Sequence, residues 1–385
     1  MLAVLMALST MTACGGTPAP EATPEPTPTP RMYFPNPFTG EEKTADYNEG
    51  VRPVAIMINN ISVARPQSGL SQASILIETK VEGGITRFMG IFEDYTKLED
   101  VGPVRSGRDQ FLRLAMPYEA LYMHIGRSEI TQTYIDTFEY NDLDVNGSRD
   151  GVYLFYRRNR PGKDLEHTAY TNGEIISDIV ETAGINMKKY YDEPVFDFVP
   201  YDLYPEGRQL GGEAADTISI VHSQANRTYF EYDKATGKYL MSQYNGSKGI
   251  IEPTIDENNG EQLAFENVIV LRSAISKYDY PADLDPKYDP NYQYLFLDWG
   301  LDGCYFSGGA SENIWWGKGG PPDALYFCYD NNPDNRVELN PGKTYIAFVD
   351  EEEWPRFEFA GSEEDIIDEN VDMSGVVEEE IGETE

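Results

Sequence analysis

The segment GPVRSGRD at 102–109 contains the residue types best suited to holding an anion. Arg105 and Arg108 stand near the predicted start of a helix, whose free N–H groups and positive dipole end favour negative charge. Ser106 is the candidate N-cap of that helix. Two arginines at the start of a helix predict a site for a carboxylate or phosphate. The alternative is that both arginines form internal ion pairs, because buried arginines require partners; the candidate partners are Glu78, Glu82 and Asp109.

Two polar loops beside predicted strands add further candidate ligand contacts. Arg65 and Gln67 lie in the first loop, and Glu82 and Arg87 flank the glycines of the second. Loops at strand ends are where open sheets place ligand sites. Turn geometry explains the glycines of these loops but does not require the charged and amide side chains. The predicted ligand residues are Arg65, Gln67, Glu82, Arg87, Arg105 and Arg108.

Nucleophilic catalysis is the alternative chemistry, and its candidates are His124, Ser128 and His167. A histidine–serine pair with a nearby carboxylate would permit it. However, the chain has no nucleophile elbow of the Gly-x-Ser-x-Gly type, and Cys304 and Cys328 have no histidine close in sequence. A histidine at a strand end is more often a hydrogen-bonded structural residue. The sequence therefore favours binding over catalysis.

A resident metal or cofactor is not predicted. The three histidines, His124, His167 and His222, are widely separated and match no zinc-binding spacing. The acidic run at 330–335 lacks the twelve-residue pattern of a calcium loop and reads as a turn.

The first residues have the pattern of an export and anchoring signal. Residues 1–13 are mostly apolar and small, and Cys14 follows them directly. This apolar run is shorter than the ~20 residues of a membrane-spanning helix. Residues 14–35 are rich in proline and threonine, as in an extended tether. We therefore expect a signal peptide at 1–13, a diacylglycerol on Cys14, and an extracytoplasmic protein held to the membrane by that lipid.

Net charge excludes one class of partner and defines a tail. The formal charge is −36, and sixteen acidic side chains with a single arginine lie between Asp350 and Glu385. Because a surface of this sign repels phosphates, nucleic-acid binding is not expected. The composition of 359–385 predicts an acidic disordered tail.

Cys304 and Cys328 either form a disulfide, which export permits, or remain two half-buried thiols.

Hydrophobic patterning divides the folded body into two parts. Residues 36–195 mix strand and helix signals and predict an α/β or α+β domain with a mixed sheet. Its expected strands are 54–58, 74–81, 86–92 and 121–125, and its expected helices are 106–116, 130–138 and 173–183. Residues 196–358 predict a β-rich domain. Its expected strands are 217–221, 228–232, 239–241, 267–271, 294–298, 314–316, 325–329 and 344–349.

Several motifs in one order resemble the YerB-like lipoproteins, a bacterial family whose domain is labelled as of unknown function. They are ARPQSGL (64–70), EGGITRF (82–88), GPVRSGRD (102–109), MHIGRS (123–128), HTAYTN (167–172), ENIWWGKG (312–319) and LNPGKTYI (339–346). One position departs from the family pattern, because Arg127 stands where a glycine is usual. The resemblance implies a two-domain exported lipoprotein and supplies no established activity.

These observations together predict a cell-envelope binding or scaffold protein. Its first domain would present an arginine-lined polar cleft to an anionic ligand, either wall-derived or a peptide of an envelope protein. The alternative is an envelope hydrolase or transferase that uses His124, Ser128 and His167.

Overall fold

The computed structural model describes residues 34–144, 148–149, 152–278, 291–298 and 300–361. These residues belong to one compact unit, Tyr33–Glu385. The predicted signal peptide, Cys14 and nearly all of the tether lie outside the described residues, as does the predicted tail beyond 361.

The first part of the chain contains nine strands and three α-helices among the described residues. The strands are β1 (Val54–Asn59), β2 (Ile75–Lys80), β3 (Thr86–Phe92), β4 (Leu121–His124), β5 (Asp142–Asp144), β6 (Ser148–Arg149), β7 (Val152–Tyr153), β8 (Tyr156–Arg157) and β9 (Ala169–Tyr170). The helices are α1 (Asp109–Ala115), α2 (Glu129–Phe138) and α3 (Gly173–Thr182).

The second part contains thirteen described strands and no described α-helix. They are β10 (Thr217–Val221), β11 (Arg227–Asp233), β12 (Lys238–Asn245), β13 (Ile250–Pro253), β14 (Ala264–Phe265), β15 (Asn267–Ser273), β16 (Ile275–Lys277), β17 (Gln293–Leu295), β18 (Asp302–Ser307), β19 (Ala310–Gly317), β20 (Tyr326–Cys328), β21 (Thr344–Asp350) and β22 (Glu358–Ala360). The expectation of a mixed-sheet first part and a β-rich second part is confirmed.

Strands from both parts form one ten-stranded mixed sheet. Its order is β20-β19-β18-β15-β21-β2-β3-β1-β4-β5. The two parts meet where β2 and β21 run parallel, with Ile77 opposite Ile346. A second sheet, in the order β13-β12-β11-β10-β22, comes from the second part alone. The hydrogen-bonded backbone of the main sheet therefore crosses from one part of the chain into the other.

The main sheet is covered on both faces, which explains the uninterrupted apolar run of β1. Ile56 and Ile58 face a cluster that includes α3 and the second sheet, while Ala55 and Met57 face a cluster that includes α1. All six residues of β1 are buried as a result.

Helix α1 begins later than the sequence predicts. Its N-cap is Arg108, which makes no side-chain capping hydrogen bond, so the prediction that Ser106 caps this helix is wrong. The reason is that the chain before α1 is extended and bonds to the main sheet, with the Arg105 N–H donating to the Met57 carbonyl at 2.9 Å.

Cys304 and Cys328 are free, buried thiols. They lie on β18 and β20, which β19 separates in the sheet. Two strand spacings amount to about 10 Å, beyond the ~4.4–6.8 Å that a disulfide allows between Cα atoms. Burial raises the pKa of the Cys304 thiol to about 12, so it remains protonated and unreactive.

The ordered chain continues past the predicted start of the acidic tail. Strand β22 pairs with β10, and the Phe359 ring lies 5.1 Å from that of Phe306. The predicted start of the tail at 359 falls within this strand, where the partly buried Phe359 packs against the core.

Glu78, on β2, is fully buried where the two parts of the chain meet. Four side chains donate hydrogen bonds to its carboxylate: Asn60 (2.9 Å) and Thr86 (2.7 Å) from the first part, and Thr228 (2.9 Å) and Tyr345 from the second. A buried carboxylate is tolerated only when it is paired and hydrogen-bonded in this way.

The surroundings of Glu78 keep it ionised. Burial alone would raise its pKa, but His222 and the hydrogen bonds outweigh that effect and lower the pKa to about 2. The Nε2 atom of His222 lies 3.6 Å from the Glu78 carboxylate. One buried charge therefore draws donors from both parts of the chain to the same point.

We expect acid to destabilise the protein through Glu78. Because the folded state lowers this pKa from 4.5 to about 2, the contribution is complete above pH 4.5 and is lost as the pH falls toward 2. The shift corresponds to about 3 kcal/mol. Glu78→Gln should lower the free energy of unfolding at pH 7 and flatten its decrease in acid, measured by urea unfolding at each pH. The exposed Glu49→Gln is the control, and an unchanged acid slope in Glu78→Gln contradicts this role.

Candidate ligand-binding site

Most of the motif residues follow the carboxyl ends of parallel strands. Strands β1, β2, β4, β5, β15 and β21 all run in the same direction in the main sheet. At this edge Asn59 ends β1, Lys80 ends β2 and His124 ends β4. Ligands of open α/β sheets bind outside this edge. The sheet therefore gathers loops that are distant in sequence at its carboxyl edge.

The chain leaves two neighbouring strands in opposite directions. From β1 the chain continues to β2, toward one edge of the sheet. From β4 it continues through α2 to β5, which lies at the opposite edge. Such a divergence opens a crevice between the strand ends, where open sheets bind ligands.

The segment Val104–Gly107 lies in this crevice. The Ile125 N–H donates to the Arg105 carbonyl at 3.1 Å, and the Gly107 N–H donates to the Gly126 carbonyl at 2.9 Å. A Cβ atom at Gly107 would lie 3.1 Å from the His124 ring, so a glycine suits this close approach. The GPVRSGRD motif is thus held between β1 and the loop after β4.

Arg105 presents its guanidinium at the surface of the crevice. Its side chain is 16% exposed, and its Nη2 atom lies 2.7 Å from a carboxylate oxygen of Glu166, which is 43% exposed. The pairing of Arg105 is therefore with Glu166, which was not among the acids expected from the sequence. The carboxylate of this pair is exposed, so solvent weakens the pair, although the guanidinium is mostly buried.

His167 contacts the same Glu166 carboxylate. Its Nε2 atom is 3.4 Å from Glu166, and its Nδ1 atom is 3.1 Å from the Asn59 amide nitrogen. Burial and the charge of Arg105 lower the pKa of His167, which favours the neutral imidazole. With Asn59 donating to Nδ1, the proton resides on Nε2, the nitrogen nearer Glu166.

Arg65 and Gln67 fasten the loop after β1. The Arg65 guanidinium donates to the carbonyls of Tyr244 (2.8 Å) and Asn60 (3.0 Å). The buried Gln67 amide donates to the carbonyl of Asn59 and to the side chain of Asn60, each at 3.1 Å. Asn60 also bonds to Glu78, so this loop is tied to the buried carboxylate. Arg65 remains partly exposed.

Glu82, Arg87 and Arg108 form a second, mostly buried group. The Nε atom of Arg108 lies 2.7 Å from Glu82, as the internal ion-pair alternative predicted. Burial raises the pKa of Glu82, but Arg108 and Arg87 outweigh it and lower the pKa overall. Arg87 donates to the Ser106 carbonyl at 2.7 Å. These contacts hold the segment that carries Arg105.

The three catalytic candidates have separate partners. His124 is buried with its Nε2 atom 3.2 Å from Asp142. Ser128 caps α2 by accepting the Thr131 N–H at 3.1 Å. Within the described residues no hydrogen bond joins His124, Ser128 or His167 to one another. The geometry does not assemble a nucleophile and its base.

Arg127, whose side chain is larger than the glycine expected from the family resemblance, pairs with the acid at the end of β5. Its Nη1 atom lies 2.5 Å from Asp144, whose other oxygen accepts the Gly126 N–H at 2.9 Å. The larger side chain therefore braces the loop after β4.

Two cavities lie away from the predicted ligand residues. One, of about 560 Å³, is lined in part by Glu41, Glu93 and Asp94, and another, of about 400 Å³, by Asp100 and Glu174. Neither is lined by Arg65 or Arg105.

Among the described residues there is no cluster of three metal-ligating side chains. No described helix has the length and apolarity to span a bilayer.

Sequence reasoning overlooked Glu166, Asn59 and Asn60. Glu166 stands next to the motif histidine and shortly after a basic run at 157–160, which could have marked it as the partner of an arginine. Asn59 and Asn60 follow the predicted strand 54–58 and receive no role from the sequence pattern, although both hold other side chains of the site.

Comparisons with known proteins agree with the resemblance read from the motifs. The family model "Protein of unknown function (DUF3048) N-terminal domain" matches residues 38–186, and its C-terminal counterpart matches residues 218–346. The chain is 32% identical over 256 residues to "Putative lipoprotein YerB" of Bacillus subtilis, covering 65% of this chain and 71% of the relative.

A solved structure shows the same architecture. The crystal structure of the YerB protein from Bacillus subtilis superposes with a TM-score of 0.65 at 27% sequence identity. The match covers 82% of this chain and 96% of that one. The chain therefore belongs to the two-domain DUF3048 family.

Proposed function

We propose that this chain is a cell-envelope lipoprotein that binds an anionic ligand, wall-derived or peptide, at the carboxyl edge of its main sheet. A diacylglycerol on Cys14 would hold it at the outer face of the membrane. Arg105 and Arg65 would contact the ligand, while Gln67, Glu82, Arg87 and Arg108 would hold those two arginines in place. The family relationship supports the envelope location.

The position of Arg105 is the observation that carries the proposal. Its backbone is fixed in the crevice between β1 and the loop after β4, and its guanidinium remains partly exposed. Guanidinium groups bind carboxylates and phosphates through paired N–H donors. A rigid backbone with an accessible guanidinium is what recognition of an anion requires.

The loop that carries Arg65 lies beside the same position. Arg160 donates hydrogen bonds to the carbonyls of both Ala64 (2.8 Å) and His167 (3.1 Å). It therefore links the loop after β1 to the segment that carries Glu166. A ligand at Arg105 would take the place of the Glu166 carboxylate and meet Arg65 along the same edge.

A hydrolase or transferase has no geometric support, because the hydroxyl of Ser128 already serves as a helix cap. We therefore propose only ligand binding as the function.

Arg105→Ala should weaken binding of a soluble muramyl peptide with free carboxylates, measured by isothermal titration calorimetry. Loss of a charge-assisted hydrogen-bonding group costs about 1.5–3 kcal/mol, so we expect a reduction of roughly tenfold or more. Arg105→Lys should recover part of the affinity. Arg356→Ala, which removes an exposed arginine paired with Glu353, is the control. Equal affinity in folded Arg105→Ala and the unaltered chain would falsify the assignment.

Glu166→Gln should strengthen binding of the same peptide. The change removes an internal carboxylate that competes for Arg105 while keeping the shape of the side chain. Because a partly exposed ion pair contributes up to about 1 kcal/mol, we expect a gain of up to about fivefold. Glu353→Gln, which breaks the exposed pair with Arg356, should leave the affinity unchanged. A weaker interaction in Glu166→Gln would mean that Glu166 helps to hold the ligand.

A further inference from the structure

Exposed aliphatic side chains are concentrated in one region of the molecule. Among the described residues, the large aliphatic side chains with high exposure are Leu165 (68%), Leu203 (69%), Ile250 (50%) and Ile251 (51%). Ile250 and Ile251 begin β13, the edge strand of the second sheet, directly after the turn from β12. Leu165 begins the short 3-10 helix that ends at His167. Three of these four side chains therefore belong to two surface tips.

Positively charged side chains lie on both tips. Lys163 lies close enough to Lys248 and Arg160 for their repulsion, after burial, to lower its pKa. Lys163 precedes Leu165 by two residues, and Lys248 precedes Ile250 by two. Hydrogen bonds to one loop hold the tip at 157–165 next to the tip at 245–251. Arg160 donates to the carbonyls of Ala64 and Pro66, each at 2.8 Å, and Arg65, which lies between them, donates to the Tyr244 carbonyl at 2.8 Å. Each tip carries a lysine beside exposed aliphatic side chains.

The local charge of the tips is opposite to that of the whole chain. Five cations stand here, and one of them, Arg158, is paired with Asp100 and Glu257. The other four, Arg157, Arg160, Lys163 and Lys248, stand against the carboxylates of Asp164 and Glu252, the latter paired with Lys248 at 2.7 Å. Glu166 is paired with Arg105 and adds nothing to this balance. At physiological ionic strength charges act over about 8 Å, so a flat anionic surface would experience this patch rather than the net charge of −36.

We propose that the tips at 157–165 and 245–251 form a membrane-facing surface that rests on anionic lipid headgroups. Leu165, Ile250 and Ile251 would enter the interface, and Lys163 and Lys248 would meet the phosphates. Aliphatic side chains beside lysines are the usual composition of such surfaces. The predicted tether between Cys14 and Phe34 would reach about 60 Å if extended, which is ample for the body to lie against the membrane.

This surface would orient the body rather than attach it. A diacylated cysteine already provides stable anchoring. The contact would instead turn a defined side of the molecule toward the bilayer. The inference is independent of ligand binding at Arg105.

The test uses the full chain carrying Cys14→Ser, which removes the acylation site. We expect it to sediment with phosphatidylglycerol vesicles at low salt and not with phosphatidylcholine vesicles. Lys163→Ala with Lys248→Ala should weaken vesicle binding about 30-fold, because each lysine near an anionic surface contributes about fivefold. Replacing Leu165, Ile250 and Ile251 by serine should also weaken it while leaving the melting temperature unchanged.

Matched controls lie elsewhere on the same fold. Lys234→Ala removes an exposed lysine from the β11–β12 turn, at the opposite end of β12. Leu203→Ser removes a leucine as exposed as Leu165. Both should bind vesicles like the parent chain.

The proposal is overturned if the chain shows no preference for phosphatidylglycerol, or if the controls lose as much binding as the tip variants. It is also overturned if the tip lysines affect binding of an acidic peptide of alternating glutamate and valine but not of vesicles. The surface would then be a peptide-docking surface.

Discussion

The parallel pairing of β2 with β21 is the constraint on which the rest of this structure depends. It joins strands from the two family domains into one sheet and brings Glu78 and Tyr345 together. The buried Glu78 carboxylate then requires hydrogen-bond donors, and it takes them from both domains. A carboxylate without them would be costly to bury, so the two domains are held in one arrangement by an electrostatic requirement as well as by apolar packing.

The carboxyl edge of the main sheet follows from that arrangement. Asn60 links the buried Glu78 carboxylate to the loop of Arg65 and Gln67. Hydrogen bonds to a buried group therefore hold this loop at the carboxyl edge. The extended segment before α1 fills the space where β1 and β4 diverge. Most of the arginines noticed in the sequence serve this construction, and Arg105 stands out because its partner is an exposed carboxylate on a surface loop.

Local structure was largely predictable from the sequence, because it depends on patterns within a few residues. The bounds of β3 and β10 match the predicted segments, and α3 ends at Thr182, one residue before its predicted end, with Gly184 at a positive φ just beyond. The start of α1 was not predictable, since Arg105 and Gly107 bond to β1 and to the loop after β4. A capping pattern within the helix sequence contains no information about such distant partners.

The candidate site was predictable in its residue types and not in its assembly. Loop chemistry identifies Arg105 and Arg65, whereas Glu166 and two of the four donors to Glu78, Thr228 and Tyr345, come from segments far away in sequence. The continuity of the sheet across both domains has the same origin, because parallel strands pair over long separations that no local pattern records.

Binding at the carboxyl edge is the central claim, and a crystal structure of the chain soaked with an anionic muramyl peptide tests it most directly. The account predicts a ligand carboxylate or phosphate oxygen within hydrogen-bond distance of the Arg105 guanidinium, with the Glu166 side chain displaced. A peptide bound instead in the acidic cavity near Glu93, with the Arg105–Glu166 pair intact, would contradict it.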